Sequence, residues 1–569
     1  MTRLTWEAAM AKDAPDTPVV SLDEMLTQAS SGVLQRFLPI GPGLRFVAKA
    51  STQPAKVVGH IGTLAAELGR IALGTSEVAP LKKDRRFADP AWMQNPMLRR
   101  AVQTYLVGGT TINGIVSDVP MSWEDAERLN FAVTNVIDAL APSNNPFISP
   151  VAWKAVIDSG GANLIKGPVN LVKELSSAPR IPTMVDADAF AVGTDLAVTP
   201  GSVILRTPVL ELIHYVPQTE TVHEVPLLIV PPTINKYYIL DLAPGRSLVE
   251  YLVQQGQQVF VISWRNPDAR HRDWGIDEYA EAILESFDAV AEVTGIQKAH
   301  IVAACSGGML AALLAAHRAA VGKIDRLASL SLLVTMIDQS QAGLPSAMVN
   351  EAVARTAIAR SARKGYLDGK QLSELFAWLR PNDLIWNYWV NNYIEGKRPA
   401  KFDILYWNAD ATRMSAKLHR DFVEAGLGNK LAQPRGITVL DTEVDLSMVK
   451  VDSYVVAGIA DHICPWVNCY RSAQLLGGTT RFVLSTNGHI AALVNPPTNP
   501  KASFRASEDL SLEPSAWMDQ AEMVKGSWWP DYAAWLQERS GEEVPAPTDV
   551  GSKEFPPIMA APGSYVLAK

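Results

Sequence analysis

Cys305 stands in the run Ala303-Ala304-Cys305-Ser306-Gly307-Gly308, between the apolar stretch His300–Ala303 and the Ala/Leu-rich segment Met309–Ala320. A nucleophile on a tight strand-to-helix turn needs small residues two positions before and two after it, and Ala303 and Gly307 meet that need. A thiol has a chemical advantage there. Its thiolate is the stronger nucleophile near neutral pH, and the N–H groups that open a helix lower its pKa. Taken without partners, the same residue also fits a small buried apolar side chain.

Partners are found in chain order. After the strand-like run Ser453–Ala457 comes Gly458-Ile459-Ala460-Asp461-His462, and after Arg481–Leu484 comes Ser485-Thr486-Asn487-Gly488-His489. Nucleophile, then acid, then histidine, each just past a strand end, is the order of the α/β-hydrolase fold. Cys305, Asp461 and His489 are therefore the expected catalytic residues. His462 is a rival base, but it lies beside the acid rather than past the last strand. His214, His223, His300 and His317 read as structural. An oxyanion hole needs two N–H donors. The backbone of Ser306 supplies one, and the loop Val230-Pro231-Pro232-Thr233 the other; its prolines have no N–H, which leaves Val230 or Thr233, with Val230 nearer the strand end. His462, Cys464 and Cys469 lack an evident fourth ligand and Pro465 follows Cys464 directly, so no metal site is expected. No Gly-rich phosphate loop appears, and no cofactor is expected.

The elements that must position these residues are legible from about residue 200. Val203–Arg206 and Val209–Tyr215 read as a strand pair. Pro226–Val230, Gln258–Ser263, Ala299–Ala303, Leu327–Val334, Ser453–Ala457 and Arg481–Leu484 are short, β-rich and followed by turns or helices. Alternating strands and helices predict a mostly parallel sheet covered on both faces, an α/β fold. Residues 338–445 interrupt the series with a helical, aromatic-rich block that reads as a cap, or else as a separate helical domain. The first part of the chain, about 1–195, is mostly helical, with helical spacing over Leu22–Phe37 and Ala55–Leu73, an ordered connector at Asp84–Pro96 and a turn cluster at Ser143–Pro150. Residues 196–569 then form the catalytic domain, its tail from Trp528 onward ending in Pro-rich loop. With 48% hydrophobic and 19% charged residues among 569, the chain can bury large cores, and disorder is excluded for most of it. A net charge of −8 leaves no nucleic-acid footprint. Three cysteines make no disulfide framework, and a start without a signal peptide points to the cytoplasm. No apolar run reaches the ~18 residues of a membrane span.

VPPTINKYYILDL (230–242), SWRNPD (263–268), ACSGG (304–308), RPNDLIWNYWVNNY (380–393), FDILYWNAD (402–410), DHICPW (461–466), GHIAALVNPP (488–497) and GSWWP (526–530), in this order, resemble the segments of the poly(3-hydroxyalkanoate) synthases. The resemblance runs from DRRFADPAWMQNP (84–96) to APGSYV (561–566). FAWLRPNDLIWNYWVNNY and CPWVNCYRSAQLLGG look most like the single-subunit branch that prefers medium-chain monomers. Ala303 departs from the family's usual Gly, and Arg413-Met414-Ser415 lacks the proline common after FDILYWN. The resemblance implies that (R)-3-hydroxyacyl-CoA is polymerised to polyester through an acyl thioester on Cys305, with CoA released. His489 would deprotonate the thiol, and Asp461 would orient His489 or help it activate the 3-hydroxyl. It also implies a homodimer and an N-terminal region that contacts the polyester granule. A Trp/Tyr-rich cap would keep the site dry, with Trp386–Tyr393 near the acyl path. The competing expectations are a thioesterase or polyester depolymerase of the same fold, and a non-catalytic granule protein.

Overall fold

The computed structural model describes residues 26, 40–82, 84–176, 179–339 and 351–569. Apart from Leu26, the helix expected over 22–37 lies outside them, as do residues 340–350 of the inserted block. Two compact units are formed: Gln28–Asp186 with Lys370–Lys401, and Ala187–Gly369 with Phe402–Lys569.

The first unit is helical, with helices at Pro54–Leu73, Pro96–Asp118, Trp123–Ala139 and Asn163–Leu175. Asn95 starts the second of these by accepting the N–H groups of Met97 and Leu98, which a helix cannot satisfy within itself. The connector at 84–96 is ordered by its own residues: Phe87 and Trp92 bury edge-to-face beside Val102, and Arg86 donates to Asp84, Tyr105, Asp138 and Asn382. Trp378, Trp386, Trp389 and Tyr393 form an edge-to-face ladder with ring centroids 5.2–6.2 Å apart. Two of its polar atoms bond within the same unit, Trp389 Nε1–H to the carbonyl of Asn144 and the Tyr393 hydroxyl to Glu174, while the buried Trp386 Nε1–H has no hydrogen-bond partner. Gly167 lies so close to the Tyr393 carbonyl that a Cβ would approach it to 1.9 Å, so only glycine lets this helix and the aromatic segment meet.

The second unit is built on an 11-stranded sheet. In chain order its strands are β1 Gly201–Arg206, β2 Leu210–Tyr215, β3 Leu227–Val230, β4 Val259–Trp264, β5 Ala299–Ala304, β6 Leu327–Leu333, β7 Ser453–Gly458, β8 Thr480–Ser485, β9 Ser503–Ser507, β10 Glu522–Lys525 and β11 Met559–Ala560. They lie in the order β10-β9-β8-β7-β6-β5-β3-β4-β2-β1-β11. The centre, β4-β3-β5-β6-β7-β8, is parallel. Its strands are buried on both faces, which is why they read as continuous apolar runs. Antiparallel strands extend both flanks. Three of them, β9, β10 and β11, were not expected, and β11 falls in the tail read as Pro-rich loop. They are short and partly exposed, so their pairing depends on distant partners rather than on a local apolar pattern.

Residues 559–568 are tied to the sheet by more than β11. The buried carboxylate of Glu211 accepts from the N–H groups of Ser564 and Tyr565 and from the Ser564 hydroxyl. Buried Lys236 donates to the carbonyls of Val566 and Ala568.

Among the helices that flank the sheet are α1 Ile276–Thr294, α2 Cys305–Ala320, α3 Trp466–Gln474, α4 His489–Leu493 and α5 Trp529–Gln537. Trp528, fully buried against Tyr454 and Tyr532, donates its indole N–H to the carbonyl of Ala492 at 2.7 Å. The indole therefore clamps the short helix that carries His489. Trp528→Ala is expected to destabilise this unit by about 3–5 kcal/mol, read as a lower denaturation midpoint. An unchanged midpoint would show that α4 is held by other contacts.

Candidate active site

β5 ends at Ala304 and α2 begins at Cys305 without an intervening loop. Such a reversal forces the turn residue out of ordinary backbone space, and Cys305 has φ +50°. What holds it there is close packing under the turn. A Cβ on Gly307 would lie 2.2 Å from the carbonyl oxygen of Pro231, so α2 presses directly on the loop after β3. That loop is pinned in return: Thr233 donates both its N–H and its hydroxyl to Ser306 Oγ (3.0 and 3.1 Å), and Trp264 Nε1–H donates to Pro231.

Asp461 follows β7 and His489 follows β8, and the two parallel strands deliver both loops to the same end of the sheet as Cys305. His489 Nδ1 lies 2.7 Å from Asp461 Oδ2. The other carboxylate oxygen accepts the N–H groups of Ile463 and Cys464 at 2.8 and 2.9 Å. With Nδ1 engaged, the imidazole has Nε2 left for Cys305. Both thiols, of Cys305 and Cys464, and a ring nitrogen of His489 lie within 4.8 Å of one another, all buried. His462 is half-buried, and it is His489 that Asp461 holds.

The electrostatics favour a charge-separated pair. The Cys464 thiol donates to Cys305, and together with imidazolium His489 and the Ser306 N–H it outweighs burial, bringing the Cys305 thiol down to about 5. Burial disfavours a charged His489, but the Asp461 carboxylate and the Cys305 thiolate outweigh it and raise the imidazole to about 10. Cys464 keeps its proton: its bond to Cys305 and its burial both push it up.

Of the two loop residues that could complete an oxyanion hole, Thr233 has its N–H committed to Ser306 Oγ. Val230 ends β3, directly beside Ala303 of β5. The Ser306 N–H faces Cys305 and opens a helix whose first turn has no side-chain cap, so its dipole adds to that donor. Sequence reasoning missed the approach of Cys464 to Cys305. A spacing of three from Asp461 hints at a shared loop, but only the fold shows the two thiols meeting.

Alkylation of Cys305 by iodoacetamide is expected to be half-maximal near pH 5, where ordinary thiols require about 8.5. The thiolate exists above its pKa, so the rate should fall as pH drops through that value. Asp461→Asn should move the midpoint upward. A wild-type midpoint near 8.5 would mean that no ion pair forms.

A family model described as "Poly-beta-hydroxybutyrate polymerase (PhaC) N-terminus" matches residues 83–252, and one described as "alpha/beta hydrolase fold" matches residues 226–496. Poly(3-hydroxyalkanoate) polymerases 2 and 1 of Ectopseudomonas oleovorans are each 42% identical to the chain. The matches cover 98% and 96% of this chain and 99% and 98% of those proteins. The poly(3-hydroxyalkanoate) polymerase subunit PhaC of Cupriavidus necator is 36% identical over 93% of this chain and 91% of its own length. Likeness at this level runs through both the helical unit and the sheet with its Cys305 turn, and the chain belongs to the poly(3-hydroxyalkanoate) polymerase family.

Proposed function

We propose that the protein polymerises (R)-3-hydroxyacyl-CoA into polyester by two acyl transfers at Cys305. The observation that carries the mechanism is a thiol on a strained strand-to-helix turn, within 4.8 Å of an imidazole that a buried carboxylate orients. In the first transfer, Cys305 Sγ attacks the thioester carbonyl. The N–H groups of Ser306 and Val230 receive the developing oxyanion. Collapse breaks the bond to CoA, whose thiolate takes the proton from His489 Nε2. The enzyme is left with an acyl–Cys305 thioester and a neutral imidazole.

In the second transfer, His489 Nε2 removes the proton from a 3-hydroxyl, whose oxygen attacks the acyl–Cys305 carbonyl. An ester forms, and the Cys305 thiolate leaves beside a recharged imidazolium. Asp461 acts through His489 in both transfers, holding Nδ1–H and balancing the charge. Thioester to thioester is near thermoneutral, and thioester to ester is downhill, so a cysteine suits holding and then passing on a chain. Cys305, Asp461 and His489 are all buried, which favours transfer to a hydroxyl over transfer to water. Monomers of medium chain length are favoured by the resemblance of the 376–393 segment.

The outer face of the helix Asn163–Leu175 leaves Leu164, Ile165, Val169 and Val172 exposed. This apolar face supports granule contact through the helical unit. A homodimer rests on family resemblance, and sedimentation tests it. Among the described residues, no helix is long and apolar enough to cross a membrane.

The deciding assay is CoA release from (R)-3-hydroxybutyryl- and (R)-3-hydroxyoctanoyl-CoA, with the product extracted and sized. High-mass polyester is expected, faster from the C8 substrate, with a loss on the order of 10³-fold or more in Cys305→Ala. Free hydroxy acid as the sole product would instead make the protein a thioesterase. For the granule contact, the triple variant Ile165→Gln, Val169→Gln, Val172→Gln is expected to shift from sedimented granules to the supernatant. Unchanged co-sedimentation would place the contact elsewhere.

A further inference from the structure

Acyl transfer at Cys305 needs one thiol, yet the site holds two. Cys464 is fixed by its own N–H, which donates to Asp461 Oδ1, and its side chain is buried beside Cys305 and His489. The third cysteine is kept apart: Cys469 Sγ donates to the carbonyl of Cys464 at 3.6 Å. We propose that Cys305 Sγ, Cys464 Sγ and His489 Nε2 form a binding site for one thiophilic divalent cation of the Zn²⁺ class, and that occupancy reversibly arrests the enzyme.

The donor set is the first reason. Two thiolates and an imidazole suit Zn²⁺ and discriminate against Mg²⁺ and Ca²⁺, which take oxygen ligands. Spacing is the second. Tetrahedral Zn²⁺ with bonds of about 2.3 Å to sulfur and 2.0–2.1 Å to nitrogen holds its ligand atoms about 3.5–3.8 Å apart. Three atoms already within 4.8 Å of one another need to close by only about an ångström, a change that side-chain rotation supplies. The third reason is the support behind the ligands. Asp461 grips Nδ1 at 2.7 Å, leaving Nε2 as the metal-facing nitrogen, and the carboxylate–imidazole pair is the arrangement that orients metal-bound histidines. Three protein ligands leave one position open, for water or a CoA thiol.

Binding displaces the protons that the ligands carry and changes no oxidation state. Because Cys305 Sγ and His489 Nε2 cannot hold the ion and perform acyl transfer at once, metal and substrate exclude each other. The arrest, though not the binding, rests on the reading of Cys305 and His489 given above.

The test is Co²⁺ absorption on the full chain, displaced by Zn²⁺, beside CoA release in Zn²⁺ buffers. The wild type is expected to show a thiolate-to-Co²⁺ charge-transfer band of two-thiolate intensity at one equivalent. Cys464→Ser should halve the band, weaken Zn²⁺ about 100-fold and raise the half-inhibiting Zn²⁺ concentration by the same factor. Chelator should restore wild-type CoA release. Half-inhibition is read within each variant, so a slower basal rate in Cys464→Ser does not matter, and Cys464→Ala serves if the serine variant misfolds. Absence of the band in the wild type, or the same band and affinity in both proteins, would overturn the site. Absence of CoA release from metal-free wild type would instead remove the polymerase mechanism, leaving the spectra to decide metal binding alone.

Discussion

The backbone of Cys305 is held at a left-handed φ that an L-residue with a side chain adopts only at a cost of about 1–3 kcal/mol. Everything around the site follows from maintaining that conformation. The strand before it is locked between two parallel neighbours, and the helix after it is buried from its first residue to His317. Between them, Gly307 lets α2 settle on Pro231 with no room for a Cβ. Release of the strain would require sliding a buried helix along a buried strand. Such a displacement would break apolar contacts and the Thr233–Ser306 bonds together, so the turn stays strained and the thiol stays presented.

Charge at the site is managed in the same over-determined way. A buried thiolate or a buried imidazolium alone would be neutralised by desolvation. Paired with each other, each supplies the countercharge the other lacks. Asp461 adds the second negative charge that a buried imidazolium needs, and its own cost is offset by two backbone N–H donors from its loop. The loop that carries the acid thus also solvates it, and the same loop brings Cys464 into contact with the nucleophile.

The parallel core was legible because each of its strands is buried on both faces and therefore announces itself as an apolar run. The expected boundaries lie within one residue or so of β3 to β8. Cys305, Asp461 and His489 could be singled out because chain order and strand ends constrain them, and the fold does bring these three side chains together. What sequence could not show is whatever depends on non-local pairing. The strands β9, β10 and β11 have no local signature, and nothing in CPWVNC announces that its first cysteine meets one 159 positions earlier. The aromatic ladder was recognisable by its composition. That its segment, 370–401, joins the helical unit while residues 351–369 and 402–445 belong to the unit that holds the sheet is set by partners such as Asn144 and Glu174.

The bonds from residues 559–568 to β1 and β2 also impose an order on the making of the molecule. Glu211 has Arg206 beside it on the β1–β2 hairpin, but its remaining donors lie 353 residues and more later in the chain. While synthesis proceeds from the amino end, those bonds must remain unmade, and the outer edge of β1 must remain open, until Met559 to Tyr565 have left the ribosome. The sheet can assemble its parallel centre before then, but it cannot close on that flank. For most of its birth the nascent polymerase therefore carries an unpaired strand edge, the kind of surface that chaperones hold and that aggregation exploits.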